Sequence, residues 1–352
     1  MRPKNTCIPY AGITRIRSRV REHPVSAAKH PYTIFACLMW NYSTFSTVVK
    51  RRRNVFVDFF RFYGMIRVYG GGGSLTGIID VGGGTRDIYG AGVLDALLDL
   101  NIMADVFIGV SAGSANGASY LARQRGRNYP FYADYPSRPE YLGPRSLAKT
   151  GSLLGLEYIY ETLSREGGEN PLDFDAMMNN PAEFIIVATD GRTGKAKYFD
   201  KSDYRRNDYT VLEASCSLPV FTKPAVVDGV PYFDGAVADP IPYKKALEMG
   251  VDKLVLILTK PVDTALSENR NQAGAKLIRR QYPNAADALL RTNRLYAESL
   301  EAVLALEREG RAVVVAPDDV YGMGTLSRDR EKLTALYRKG LADAEKIAAF
   351  LR

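Results

Sequence analysis

The chain has 352 residues, 46% of them hydrophobic, enough to bury a sizeable core in one large domain or two small ones. Its net charge of +8 is confined to one end, because residues 1–75 hold 13 of the 47 Lys+Arg and only 2 of the 39 Asp+Glu; the near-neutral remainder argues against nucleic acid as the main ligand. Three scattered cysteines (Cys7, Cys37, Cys216) and two histidines (His23, His30) leave no disulfide framework and no zinc pattern, so the expected compartment is the reducing cytoplasm.

Residues 1–75 show no sustained helical or strand periodicity. They contain Lys50-Arg51-Arg52-Arg53, then Phe56, Phe59, Phe60 and Phe62, and they close on a run of glycines. They read as a basic, disordered N-terminal extension, or as sequence upstream of a start at Met65. A sharper reading is an arm that docks peripherally on an anionic membrane. The apolar run over 33–40 is too short to span a bilayer and too late for a typical signal, and no transmembrane helix is expected elsewhere.

From residue 76 the pattern becomes regular. Ile78-Ile79-Asp80-Val81 reads as a short strand, and Val93, Leu94, Leu97 and Leu98 share one face of a helix over 88–100. Val106 to Val110 is a buried strand, followed by a helix from Ser114 to Arg123. Residues 126–182 are irregular, with a helical stretch near 153–164. Further strands are expected at 184–188, 253–258 and 312–315. Helices are expected at 208–216, 241–249, 266–281, 284–309 and 329–350. Alternating strands and helices imply a mainly parallel sheet covered on both faces. The expected organisation is therefore the basic extension, then one domain over 76–352 whose part from about 266 is helical.

Three motifs carry chemistry. Gly82-Gly83-Gly84-Thr85-Arg86 lies between a strand and a helix, where free backbone N–H groups converge on a phosphate or an oxyanion; a plain tight turn stays open. It lacks both the dinucleotide-binding glycine spacing and a following Gly-Lys-Ser/Thr. Gly109-Val110-Ser111-Ala112-Gly113 has the G-x-S-x-G pattern of a nucleophile elbow, in the required strand–turn–helix setting. No histidine follows His30, so a nucleophilic Ser111 needs a carboxylate as its base. Asp234, in Phe233-Asp234-Gly235-Ala236, follows a strand-like Val230-Pro231-Tyr232-Phe233 and fills that role; an ordinary turn is the alternative.

Together these residues resemble the patatin-like phospholipases. Residues 80–94 look like that family's glycine-rich oxyanion motif, 109–113 its elbow, and Asp234-Gly235-Ala236 its Asp-Gly-Gly/Ala motif. Ala214-Ser215-Cys216-Ser217-Leu218-Pro219 looks like its Ala-Ser-x-x-x-Pro segment, and 326–344 like the tail of a bacterial subgroup. The resemblance implies a three-layer α/β/α sandwich and a Ser-Asp dyad that hydrolyses acyl esters, mostly of lipids. Ser111 would be nucleophile and Asp234 base, with Gly82, Gly83 and Gly84 as oxyanion donors and Arg86, Gly109, Gly113 and Gly235 in support. Arg86 holds the loop or meets a phosphate. The partners expected are a lipid or acyl-ester substrate, with no nucleic acid and an undetermined oligomeric state. Two alternatives are a soluble carboxylesterase or thioesterase and a weakly active lipid-binding protein on the same scaffold. The family has glycine where this chain has Asp87. Either that carboxylate opposes the oxyanion, or it caps the helix beginning near Ile88 and points away. The aromatics between 126 and 182, among them Tyr129, Phe131, Tyr132, Tyr135, Tyr141 and Tyr160, line an acyl pocket or pack a cap.

Overall fold

The computed structural model describes residues 74–352, and also the backbone of two short strands, β1 (Val55–Asp58) and β2 (Arg67–Gly70), paired antiparallel with Val57 opposite Val68. The rest of the basic extension expected at 1–75 lies outside the described residues. Eight strands follow: β3 (Thr76–Asp80), β4 (Val106–Val110), β5 (Glu183–Asp190), β6 (Ala196–Phe199), β7 (Ala225–Val227), β8 (Val230–Asp234), β9 (Lys253–Ile257) and β10 (Ala312–Val315). They form one sheet in the order β10-β9-β3-β4-β5-β8-β7, with β6 also on β5. From β10 to β5 every pairing is parallel, whereas β6 and β8 join β5 antiparallel and β7 joins β8 antiparallel.

The central strands are runs of consecutive apolar residues because both of their faces are covered. Side chains alternate between two packed layers: Ile78, Phe107, Phe184 and Ile186 enter one cluster, while Ile79, Val106, Ile108 and Val187 enter the other. The first layer is closed by helices Ile88–Asp99, Ala112–Leu121 and Arg330–Leu351, through residues such as Leu94, Leu121 and Leu336. The second is closed by Tyr243–Glu248 and Pro283–Arg308, through Ala246, Leu300 and Val303. The result is the expected three-layer α/β/α sandwich with a mainly parallel sheet.

The closing helix, Arg330–Leu351, fixes the helix that follows the glycine run. A Cβ at Gly92 would lie 2.2 Å from the Tyr337 carbonyl oxygen, and one at Gly340 would lie 2.1 Å from that of Tyr89. Backbones this close admit only glycine. Two reciprocal hydrogen bonds lock the crossing: Tyr89 donates to Asp343 at 2.8 Å and Tyr337 to Asp95 at 2.7 Å.

The structure departs from the sequence pattern mainly at the antiparallel edge and in the irregular stretch. β6 and β7 have four and three residues, too few for a period-2 pattern to stand out. Residues 126–182 contain the short helices Tyr129–Ala133, Pro144–Thr150 and Phe174–Asn179, and the helix expected near 153–164 is a π-helical turn over Tyr158–Leu163. No helix among the described residues is long and apolar enough to cross a membrane.

Candidate active site

The site lies at the carboxyl ends of β3 and β4, where ligands sit in open α/β sheets. Ser111 lies between the end of β4 at Val110 and helix Ala112–Leu121, as that helix's N-cap residue, with φ 55° and ψ −131°, backbone angles that cost energy for any residue with a side chain. The turn is held from behind: the Ser111 N–H donates to Ser215 Oγ at 2.9 Å, and the Ser215 hydroxyl donates to the Val187 carbonyl at 2.6 Å. Ser114 Oγ adds a third contact to Ser215 Oγ at 2.8 Å. Gly113 lies where a Cβ would come within 2.3 Å of the Asp80 carbonyl oxygen, and Gly109 packs as closely on Ser114. The sequence marked the segment around Ser215 by its family pattern but assigned Ser215 no role; in the fold it is the brace of the elbow.

Asp234, at the end of β8, is fully buried, and its Oδ2 accepts from the Ser111 hydroxyl at 2.6 Å. Its Oδ1 accepts from the Ala236 N–H at 2.9 Å, so both oxygens are occupied and the carboxylate is aimed. Gly235 lies behind it, against the Val187 carbonyl. Burial pushes the Asp234 carboxyl up to about 6, against the opposing pull of hydrogen bonds from Ser111 and Ala236 and of the charge on Arg270. A carboxylate in that range is a better proton acceptor than an ordinary aspartate near ~3.9.

The glycine run turns beside Ser111. Gly82, Gly83 and Gly84 all have positive φ, at 70°, 146° and 63°, which explains three successive residues without a Cβ. Thr259 donates its hydroxyl to the Gly82 carbonyl at 2.6 Å, and the Thr85 N–H donates to the Thr325 carbonyl at 2.8 Å. The Gly82 N–H points to Asp80 Oδ1 at 3.2 Å, whereas those of Gly83 and Gly84 meet no protein acceptor among the described residues.

Asp87 occupies the N-cap position of helix Ile88–Asp99, yet its side chain makes no capping hydrogen bond. It turns inward instead. Its carboxyl and that of Asp80 approach Gly90 together: a Cβ there would lie 2.4 Å from Asp87 Oδ1 and 2.7 Å from Asp80 Oδ2. No N–H or hydroxyl reaches either oxygen of Asp87, so its neighbour is the other acid, and two buried carboxyls pair only by sharing a proton. Asp80 has donors, from Gly82 N–H and from Asn116 Nδ2 at 3.1 Å. Burial raises both acids, Asp80 to about 6 and Asp87 well above the carboxylate range, with the Asp80 charge adding to the rise at Asp87. At neutral pH the negative charge therefore sits on Asp80 and the proton on Asp87. Both readings of Asp87 from the sequence are corrected: it is neither a helix-capping side chain nor a free carboxylate facing the loop.

Ser111 opens into a mainly apolar cavity of about 70 Å3. Of the aromatics singled out between 126 and 182, Phe131, Tyr132, Tyr141 and Tyr160 line it, together with Leu154 and Leu156. Tyr129 and Tyr135 do not; Tyr129 packs edge-on against Tyr337, and Tyr135 against Phe131. Arg86 also lies outside the lining.

Fold and site together define an α/β sandwich with a serine on a strained strand-to-helix turn, hydrogen-bonded to a buried aspartate. Residues 81–247 match the patatin-like phospholipase family. Residues 282–351 match a domain of unknown function, DUF6363. A protein of Escherichia coli (strain K12) titled "Uncharacterized protein YjjU" is 29% identical over 185 residues, 51% of this chain and 50% of that protein. The chain thus matches about half the length of that curated relative. The crystal structure of VipD from Legionella pneumophila superposes with a TM-score of 0.41 at 14% identity, covering 85% of this chain and 70% of that one.

Proposed function

We propose that this protein hydrolyses carboxylic esters of lipids, phospholipid or lysophospholipid, with Ser111 as nucleophile and Asp234 as its base. The observation that carries the reading is the 2.6 Å hydrogen bond from the Ser111 hydroxyl, on its strained turn, to a buried Asp234. The serine oxygen attacks the ester carbonyl as its proton passes to Asp234 Oδ2. The oxyanion is received by the glycine run, where Gly83 and Gly84 offer unengaged N–H groups and Gly82 shares its own with Asp80. Asp234 then returns the proton to the departing alcohol, and water, deprotonated by the same carboxylate, releases the fatty acid.

The apolar cavity at Ser111 favours lipid acyl chains over small soluble esters. Within this reading, residues 76–352 form the hydrolase and residues 1–75 a basic appendage suited to peripheral contact with anionic membrane in the cytoplasm. The test is a panel of esters of increasing chain length, with Ser111→Ala and a fluorophosphonate probe as controls. Rates that rise with chain length and vanish in Ser111→Ala support the proposal. A wild-type serine that neither reacts with the probe nor turns over any ester would refute it.

A further inference from the structure

Outside the lining of the acyl cavity, the glycine run is joined by cationic side chains that form no ion pair among the described residues. Lys260 follows Thr259, whose hydroxyl is bonded to the Gly82 carbonyl, so it starts at the edge of the run. Arg86 ends the run itself. Arg270 donates to Thr325 Oγ1 at 2.9 Å, and the carbonyl of the same Thr325 accepts from the Thr85 N–H, which ties Arg270 to the residue before Arg86. The Lys260 ammonium lies 4.1 Å from the centre of the Tyr296 ring.

Arg86 Nε and the Tyr296 hydroxyl are both buried and have no hydrogen-bond partner. None of the three cations forms an ion pair among the described residues; the acids that feel them are Asp87, which holds a proton, and Asp234, which is bonded to Ser111. Burial, and then repulsion within the group, lowers both Arg86 and Lys260, the latter to about 8. Buried donors in native proteins are nearly always hydrogen-bonded, so Arg86 Nε and the Tyr296 hydroxyl call for an acceptor. Guanidinium and ammonium groups donate only, so a cluster dominated by them calls for an acceptor with several oxygens and negative charge.

We propose that Arg86, Lys260, Arg270 and Tyr296 form a binding site for a phosphate-type oxyanion beside the candidate nucleophile. Its relevance to substrate choice rests on the lipid-ester hydrolysis proposed above, with the acyl chain in the cavity and the phosphate held across the glycine run. Anion binding itself needs no turnover.

The test has two arms, both on the full chain. In the first, protein carrying Ser111→Ala is titrated with inorganic phosphate by calorimetry. Saturable binding is expected, weakened roughly tenfold by Lys260→Gln with Arg270→Gln and less by Tyr296→Phe, which removes one donor and no charge. In the second, kcat/KM is compared for a lysophospholipid and for the uncharged monoacylglycerol ester of the same acid. The ratio of the two is expected to fall in the double variant by a similar factor. Arg270 is exposed, so Arg270→Gln alone supplies a folded variant if replacing Lys260 disturbs packing. Weaker phosphate binding with an unmoved ratio identifies a free phosphate as the occupant; a change in both identifies the lipid headgroup. Absence of saturable phosphate binding together with an unmoved ratio overturns the site. A wild-type protein inactive on both esters would defeat the hydrolase reading instead, and the phosphate titration would still decide the anion site.

Discussion

Asp234 and Asp87 are both fully buried, and burial is the main reason each carboxyl is raised. Their surroundings then separate them. Asp234 receives a hydroxyl and a backbone N–H, which hold it near 6 and able to ionise under physiological conditions. Asp87 receives no donor and faces a second carboxyl, so it keeps its proton. The comparison shows that desolvation alone does not assign an acid its role; the donors that reach it do. On the proposed mechanism the first acid accepts a proton, whereas the second retains one.

The sharpest way to break this contrast is to remove the working pair. Ser111→Ala and Asp234→Asn should each lower kcat/KM by roughly a thousandfold or more, and the double variant should lose little beyond either single one. Full activity in Asp234→Asn would eliminate it as the base. Circular dichroism and melting curves on the same proteins separate loss of chemistry from loss of fold.

A pH profile tests the second half of the comparison. If Asp234 must be ionised, kcat/KM should fall about tenfold per pH unit below its value near 6 and level off above it. Stability should move the opposite way. An aspartate raised in the folded state binds more protons folded than unfolded, so its contribution is fully present below the ordinary ~3.9 and is lost as pH rises through about 6. Asp80 adds to the same window. Denaturant unfolding at several pH values reads this directly; stability that rises steadily across that interval would contradict the raised carboxyls.

Ser215→Ala leaves every reacting atom in place and removes the brace of the elbow. Kinetics should show kcat/KM reduced by roughly ten- to a hundredfold, with about 1–3 kcal/mol of stability lost from a buried donor network left incomplete. An unaffected rate would show that the Ser111 turn keeps its geometry without Ser215.

The smallest kinetic effect is expected at Asp87. Asp87→Asn supplies an N–H to Asp80 without a shared proton, so kcat/KM should stay within about twofold while the melting temperature at neutral pH rises, because a buried acid has been replaced by a neutral donor. A large gain in rate would instead mean that a negative Asp87 opposes the oxyanion, and the proton assignment drawn from its lack of donors would be wrong.

Much of this was legible in the chain. The lack of any histidine after His30, the G-x-S-x-G at 109–113 and the Asp-Gly pair at 234 together pointed to a serine with a carboxylate partner, and runs such as Val106 to Val110 announced a sheet covered on both faces. These signals are local: glycines where the backbone must bend, apolar periods where it must be buried. What crossed long separations was not written in any spacing. The 2.6 Å contact between Ser111 and Asp234 spans 123 positions and exists because β8 pairs antiparallel with β5, an arrangement that strand pattern alone does not fix. The inward turn of Asp87 onto Asp80, the bracing by Ser215 and the meeting of Arg86, Lys260, Arg270 and Tyr296 likewise depend on which helices close which face. The sequence by itself determined the chemical types and the turns that present them. Burial, partner choice and hence protonation were decided by tertiary packing, since the energy of a charge depends on the donors and dielectric around it and not on its neighbours along the chain.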